Sequence, residues 1–518
     1  MAELDEGILV LDYGSQYTLL IARRLREIGV YSEVWPCRDA RLDQLDGAPA
    51  RGMILSGGPG SVGAEGAPEL PAGLLDLDVP VLGICYGMQL LADARGSVVE
   101  GTDSAEYGRT RIEIDRPGPL FAGFDAGETL DVWMSHGDSV REVPQGYELL
   151  ASTERGLLAA IGDRRSALYG LQFHPEVTHT EEGSRILSNF AHDICGCGGD
   201  WQIEDFLDRS VERIRSRVGD GEEVICGLSG GVDSAVVAAM VDRAVGDRLR
   251  CVHIDNGLLR HRESETVRSV FEGHFGIDLE VVDARDAFVD ALAGVTDPER
   301  KRSIIGEKFI RIFEETSENW PEVEYLAQGT LYPDVIESMS TRGPSDTIKS
   351  HHNVGGLPER LDFELVEPLR ELFKDEVRAL GRALGLPAEM VDRHPFPGPG
   401  LAVRIMGEVT RERLETVRRA DHIFIEALRR EDHYQNVWQA FAVLVPVETV
   451  GVMGDSRTYD QLVALRAVDS RDGMTADRSH LPLEFLGRVS DEIINRVDGV
   501  NRVVYDVSSK PPATIEWE

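Results

Sequence analysis

The sequence predicts an α/β protein: two doubly wound parallel-sheet domains followed by a small α+β domain. Three observations lead there. The 518 residues exceed what one hydrophobic core holds. Apolar runs that close on glycine-rich or polar turns alternate with amphipathic stretches, first from Gly7 and again from Val224. From His394 a proline- and glycine-rich stretch leads into a region without such strand-end loops. The expected domains are residues 1–198, 199–393 and 394–518.

Composition narrows the class. With 42% apolar and 28% charged residues the chain is globular. Met1-Ala2-Glu3-Leu4-Asp5-Glu6 lacks the basic and apolar character of a signal peptide, and no apolar run is long enough to span a bilayer. Six cysteines, at 37, 85, 195, 197, 226 and 251, form no disulfide framework, so a reduced cytoplasm is the expected location. A net charge of −37 argues against nucleic acid and anionic membrane as partners. That charge suits a protein kept soluble in high salt, while an arginine bias also follows from a GC-rich genome. Only five of the 54 basic residues are lysines (301, 308, 349, 374 and 510). All lie in the second half, where an anionic substrate would need local positive charge.

In chain order, Gly7-Ile-Leu-Val-Leu-Asp12 reads as a strand, followed by a helix from Leu19 to Ile28. Gly52 to Gly60 is a second strand opening into a glycine loop. Val79 to Leu91 then turns from strand to helix through Gly83-Ile84-Cys85-Tyr86-Gly87, the spacing of a nucleophile elbow with cysteine at its tip. The glycines permit the tight turn, and a helix N-terminus beside the sulfur favours thiolate. The bland alternative is a buried small hydrophobe. Another apolar strand, Leu168 to Phe173, ends at His174, with Glu176 two residues on. An extended chain there would project both side chains to one side, so the carboxylate could orient an imidazole facing Cys85. His136 is the rival base, ranked lower because no carboxylate sits at that offset from it.

Cys195-Gly-Cys197-Gly-Gly reads as a linker, since no further ligands complete a metal set nearby. Beyond it Val224 to Met240 reads as a buried strand, a glycine turn bracketed by Ser229 and Ser234, and then a helix, which exposes backbone N–H groups to a phosphate chain. This is not a Walker loop, because no lysine precedes Arg300. Asp233 suits either a metal or a helix cap. Lys301-Arg302 and Glu307-Lys308 bring basic groups together on one helical stretch, where lysine scarcity favours substrate contact over a solvated face. Lys349-Ser350-His351-His352-Asn353 reads as a structural or nucleotide-contacting loop. Glu367 to Val377 starts a helix with Lys374 near its beginning, where the dipole gives a cation nothing, so an anionic partner is expected. His394 to Arg404 reads as a linker. A helix near 410–430, strands near 438–454 and 461–468, a helix near 482–496 and a strand from Arg502 follow, and Phe441 to Val445 is apolar enough for sheet core or a subunit contact. The Lys510-Pro511-Pro512 tail is expected to dock.

Gly57-Gly58-Pro59-Gly60, Gly83-Ile84-Cys85-Tyr86-Gly87 and Gln172-Phe173-His174-Pro175-Glu176 resemble the three motifs of class I glutamine amidotransferases, over residues 7–195. The resemblance implies a catalytic Cys85, His174 and Glu176 that release ammonia from glutamine, with main-chain N–H groups near Gly58 and Tyr86 holding the oxyanion. Ser229-Gly230-Gly231-Val232-Asp233-Ser234 resembles the pyrophosphate loop of N-type ATP pyrophosphatases. Sulfur-transfer enzymes acting on tRNA share that loop, but they would not explain Cys85 with His174 and Glu176. With Ile305 to Ile310, His394 to Gly400 and Lys510 to Glu518, the whole chain is similar to the glutamine-hydrolysing GMP synthase family. That implies substrates glutamine, XMP and ATP with Mg²⁺, adenylation of XMP O2, and displacement of AMP by ammonia. It further implies ATP contacts from Ser229 to Ser234 and Lys374, and XMP or intermediate contacts from Arg302, Glu307, Lys308, Arg502, Lys510, Ile515 and Glu516. A mobile lid over 302–353 and a homodimer through the C-terminal domain complete the expectation.

Overall fold

The computed structural model describes residues 4–38, 50–340, 363–453, 456–470 and 475–518. The chain divides into two compact units, the first built on Met1–Phe206 and the second on most of the chain after Leu207. Lys349 to Asn353, and with them the end of the expected lid, lie outside the described residues.

The first unit is organised by one nine-stranded sheet, in the order β2-β1-β3-β4-β9-β8-β7-β5-β6. Its parallel half comprises β1 (Ile8–Asp12), β2 (Ser32–Pro36), β3 (Gly52–Leu55), β4 (Val81–Ile84) and β9 (Leu168–Leu171). Strands β3, β4 and β9 are buried at every residue, which is why they read as unbroken apolar runs. Helices α1 (Thr18–Glu27) and α2 (Tyr86–Asp93) follow β1 and β4. The other half is antiparallel: β5 (Val99–Ile114), β6 (Thr129–Val140), β7 (Glu148–Thr153) and β8 (Leu158–Asp163). The sheet is therefore parallel only where strand and helix alternate in sequence; β5 to β8 are joined without long helices, so they return antiparallel. Helix α3 (Gly183–Ser188) closes the unit, and α4 (Ile203–Arg217) carries the chain onward.

In the second unit the five-stranded sheet, β12-β11-β10-β13-β14, is parallel throughout. The chain runs β10 (Glu223–Gly227), α5 (Val232–Val245), β11 (Leu249–Asp255), α6 (Glu263–Arg268), β12 (Leu279–Asp283), α7 (Arg285–Ala291) and α8 (Pro298–Ser317). Next come β13 (Val323–Ala327), α9 (Tyr332–Ser340), β14 (Glu364–Val366), α10 (Lys374–Ala383) and α11 (Ala388–Val391). From β10 the chain moves to one side, through β11 and β12, and then crosses to β13 on the other. The carboxyl end of β10 thus lies at the switch point where open α/β sheets bind ligands. The start of α8 is fixed by Asp297, whose side chain accepts from Arg300 N at 2.9 Å, and by Pro298 in the first turn.

A smaller mixed sheet follows. Helix α12 (Arg411–Arg430) precedes the long antiparallel pair β15 (Gln439–Met453) and β16 (Ser456–Asp469); β17 (Asp477–Arg478), α13 (Leu483–Arg496) and β18 (Val500–Tyr505) complete it. Its core is continuous with that of the parallel sheet: Ile225, Val252, Leu401, Leu414, Val463 and Phe485 belong to one buried cluster. His394 to Arg404 is consequently no free linker. His394, Leu401, Val403 and Arg404 are buried, and the Phe396 ring is flanked by the guanidinium groups of Arg260, Arg404 and Arg393 at 4.9, 5.0 and 5.5 Å. Its prolines and glycines bend the chain through a core.

Candidate active sites

Cys85 sits between β4 and α2 with φ +51°, a left-handed conformation that costs a non-glycine residue energy and concentrates at functional sites. A side chain on Gly83 would collide with the Gly87 backbone, and one on Gly87 with Leu55, so both flanking positions require glycine. The sulfur lies 3.8 Å from Ser135 O and receives the Gln172 side-chain amide at 3.7 Å.

His174 and Glu176 follow β9. The chain does not stay extended there; it bends at Gln172 and Phe173 and turns at Pro175 and Glu176. The turn still joins the two side chains, with Nδ1 to Oε1 at 2.7 Å, both residues nearly inaccessible. Arg24 Nε donates to Glu176 O at 3.0 Å, Thr180 Oγ1 donates to His174 O at 2.6 Å, and Tyr17 meets the imidazole edge-on at 5.0 Å. Gly57 brings the glycine loop against the same ring: a Cβ there would stand 3.2 Å from His174 Cε1, while one on Gly58 would stand 3.4 Å from the Tyr86 ring. Cys85, His174, Glu176, Gly58 and Tyr86 are therefore gathered in one place.

Burial alone would push the His174 pKa down. The Glu176 carboxylate and the hydrogen bond with Cys85 outweigh it and carry the pKa up to about 10. The raised value adds stability that is complete below the unfolded pKa of about 6.5 and is lost as pH rises through about 10. Glu176→Gln should lower this pKa, because burial is then less opposed. An NMR titration of the His174 ring reads the shift, and an unmoved titration would refute Glu176 as its cause.

At the switch point of the second unit, Ser229 N donates to Ser234 Oγ at 3.2 Å, the two hydroxyls are 3.2 Å apart, and Gly231 N donates to Ser229 Oγ at 3.3 Å. Gly230 takes φ +81° to make the turn. Asp233, in the first turn of α5, meets Lys374 at the start of α10, with Nζ 2.6 and 2.5 Å from its two oxygens. The anionic partner expected for Lys374 is, in this structure, that carboxylate. Gly329 packs against it, since a Cβ there would lie 3.2 Å from Asp233 Cβ.

On α8 the basic residues divide. Lys301 is fully buried and paired with the Glu518 carboxylate, and Arg302 donates to Glu518 O at 2.6 Å. Lys301 is thus removed from the substrate contact expected of the cluster. Lys308 is half-buried, while Glu307 is exposed and accepts from Ser303 at 2.9 Å. Arg502 is exposed on β18. Lys510 exchanges main-chain hydrogen bonds with Ala476, Ile515 O accepts from the buried Arg466 at 2.8 Å, and Glu516 is held by Arg404 at 3.0 Å and Gln439 at 2.8 Å. The tail is docked, as expected, by buried arginines.

Comparison with known proteins matches three family models in sequence: "glutamine amidotransferase class-I" over residues 9–194, "NAD synthase" over 201–302, and "GMP synthase C terminal domain" over 426–517. Full-length relatives are also found. A glutamine-hydrolyzing GMP synthase from a Nitratiruptor species is 55% identical over 516 residues, 99% of either chain. Those from Phenylobacterium zucineum and Oleidesulfovibrio alaskensis are 56% and 54% identical, covering 99% and 100% of both chains. The chain belongs to the glutamine-hydrolysing GMP synthase family. As a member it is a carbon–nitrogen ligase of the glutamine amidotransferase kind.

Two side chains of this GMP synthase family member escaped the sequence reading. In the sequence Gln172 is only part of a motif, with no role of its own, yet its amide reaches the Cys85 sulfur. Glu106 pairs with His136 across the β5–β6 ladder, Oε2 to Nε2 at 3.8 Å, both buried. His136 therefore has a carboxylate after all. Strand register supplies it, and no local spacing announces that.

Proposed function

We propose that this protein makes GMP from XMP, with glutamine as nitrogen donor, using two chemical centres. At the first, Cys85 attacks the carboxamide carbon, His174 transfers the thiol proton to the departing ammonia, and Glu176 holds the ring through Nδ1. Backbone N–H groups of Gly58 and Tyr86 receive the oxyanion, and water then releases glutamate from the thioester. At the second, XMP O2 attacks the α-phosphate of ATP and pyrophosphate leaves. Ammonia then displaces AMP from the adenylated carbon.

Ser229 to Ser234 would cradle the departing pyrophosphate, with Lys374 exchanging Asp233 for phosphate oxygens. Asp233 and the two serine hydroxyls are hard oxygen donors, which fit a Mg²⁺ ion that keeps several waters and arrives on the nucleotide. Such an ion would supply charge neutralisation on the leaving group. Arg302, Glu307 and Lys308 on α8, and Arg502, Lys510, Ile515 and Glu516 near the tail, are assigned to XMP and its adenylate. Residues 1–198, 199–393 and 394–518 are the corresponding amidotransferase, ATP pyrophosphatase and C-terminal domains.

Full-length identity to glutamine-hydrolyzing GMP synthases is the observation that supports this most. Incubation with XMP, MgATP and glutamine should yield GMP, AMP, pyrophosphate and glutamate; no GMP would refute it. We place the enzyme in the cytoplasm, whose reducing conditions suit its six free cysteines. It is assigned as a homodimer through the C-terminal domain, where Val447, Val450, Val452 and Tyr459 stand exposed on the β15–β16 arm. A sedimenting mass equal to one chain would refute the dimer.

A further inference from the structure

The loop after β10 is held from behind by side chains that take no part in the mechanism above. A trans peptide points its C=O and the following N–H to opposite sides. A donor fixed on a loop carbonyl therefore aims the next N–H away from itself. Besides the loop's own Ser234 hydroxyl, which donates to Gly231 O at 3.1 Å, two side chains from elsewhere in the described chain, His253 and Arg393, do this. His253, buried on β11, donates from Nδ1 to Leu228 O at 2.7 Å; its Nε2 then accepts from Ser264 Oγ at 2.9 Å, which sets the tautomer. Arg393 donates from Nη1 to Gly230 O at 2.7 Å, and its Nη2 is paired with Glu263 Oε1.

The N–H groups that follow these two carbonyls are those of Ser229 and Gly231. They point to Ser234 Oγ and Ser229 Oγ, the hydroxyls that mark the mouth of the loop. Glu263 and Ser264 open α6, so one short helix anchors both donors. Glu263 is fixed in turn, accepting Arg260 N on its second oxygen at 2.9 Å. It also lies so close to Gly230 that a Cβ there would stand 3.0 Å from Oε1. The charge pair is therefore built against the loop.

We propose that Arg393, braced by Glu263, is a positioning residue for ATP. By drawing the Gly230 carbonyl away from the loop mouth it keeps an oxygen dipole off the incoming phosphates and keeps Gly231 N–H turned toward them. It touches no nucleotide itself. The inference rests on the assignment of Ser229 to Ser234 as the pyrophosphate loop.

The test uses the full-length enzyme with ammonium chloride as nitrogen donor, and reads the KM for MgATP and for XMP separately. Arg393→Gln should raise the KM for MgATP about tenfold or more, the loss of one charge-assisted hydrogen bond. The KM for XMP should stay within about twofold when read below the thermal midpoint of the variant, which falls because Glu263 is left buried without its cation. Arg393→Lys, which can still reach Gly230 O, should recover most of the loss. Glu263→Gln should shift the KM for MgATP in the same direction, and serves in its place if Arg393→Gln does not fold. Equal effects on both substrates, or no recovery by lysine, would overturn the inference in favour of a structural role. Ser234→Ala separates the two levels. If it raises the KM for MgATP while Arg393→Gln does not, only the positioning role fails; if it leaves MgATP unaffected, the loop assignment fails with it.

Discussion

Cys85→Ala should reduce glutamine-driven GMP formation by about a thousandfold or more, since it removes the nucleophile on which both half-steps depend. Synthesis from added ammonium should persist at close to the parent rate. The asymmetry follows from the placement of the two centres on different sheets: Cys85 stands at the end of β4 and the phosphate loop at the end of β10. Parallel assays with glutamine and with ammonium chloride decide it. Loss of both activities would mean that the sites are not separable. Retention of both would leave Cys85 as the buried hydrophobe of the bland reading, whose left-handed conformation would then lack a reason. Alanine keeps the elbow's small volume, so the variant tests the sulfur and not the turn.

Legibility in the sequence tracked distance along the chain. The elbow could be read because its requirements are local: glycine at 83 and 87, an apolar strand before, a helix after. His174 and Glu176 could be read because they are two residues apart, although the chain joins them by a turn where an extended strand was expected. Partners supplied by tertiary pairing could not be read. Glu106 reaches His136 only through the β5–β6 register, which carries an irregularity between Gly101 and Glu106. Arg393 reaches Gly230 O across the fold, and nothing near either residue points to the other. Composition misled at His394 to Arg404, where prolines and glycines suggest a linker. There the guanidinium groups around Phe396 and the buried Leu401 and Val403 make the segment part of a shared core. The antiparallel half of the first sheet was missed because an expectation of parallel pairing was drawn from its first strands alone.

The lysine cluster shows the same limit, and it carries the second large effect. Lys301→Met should destabilise the second unit by about 3–5 kcal/mol, the usual cost of removing one partner from a buried ion pair. Lys301 is fully inaccessible; its ammonium meets the Glu518 carboxylate and donates to Ile405 O at 2.8 Å and Ala402 O at 3.2 Å. Methionine fills much of the same space, so the loss comes from Glu518, left with one carboxylate oxygen on Gly407 N at 2.9 Å and the other facing no cation. Lys301→Met combined with Glu518→Gln should recover a substantial part of that loss, because no bare charge then remains buried. Denaturant titration of the two single variants and the double variant measures the coupling. A Lys301→Met cost below about 1 kcal/mol, the range of an exposed pair, would contradict it. The functional consequence follows from what the pair joins: α8, which carries Glu307 and Lys308, and the tail that carries Lys510, Ile515 and Glu516. Ammonium-driven synthesis should therefore fall in Lys301→Met through a raised KM for XMP, while alkylation of Cys85 by iodoacetamide proceeds at the parent rate.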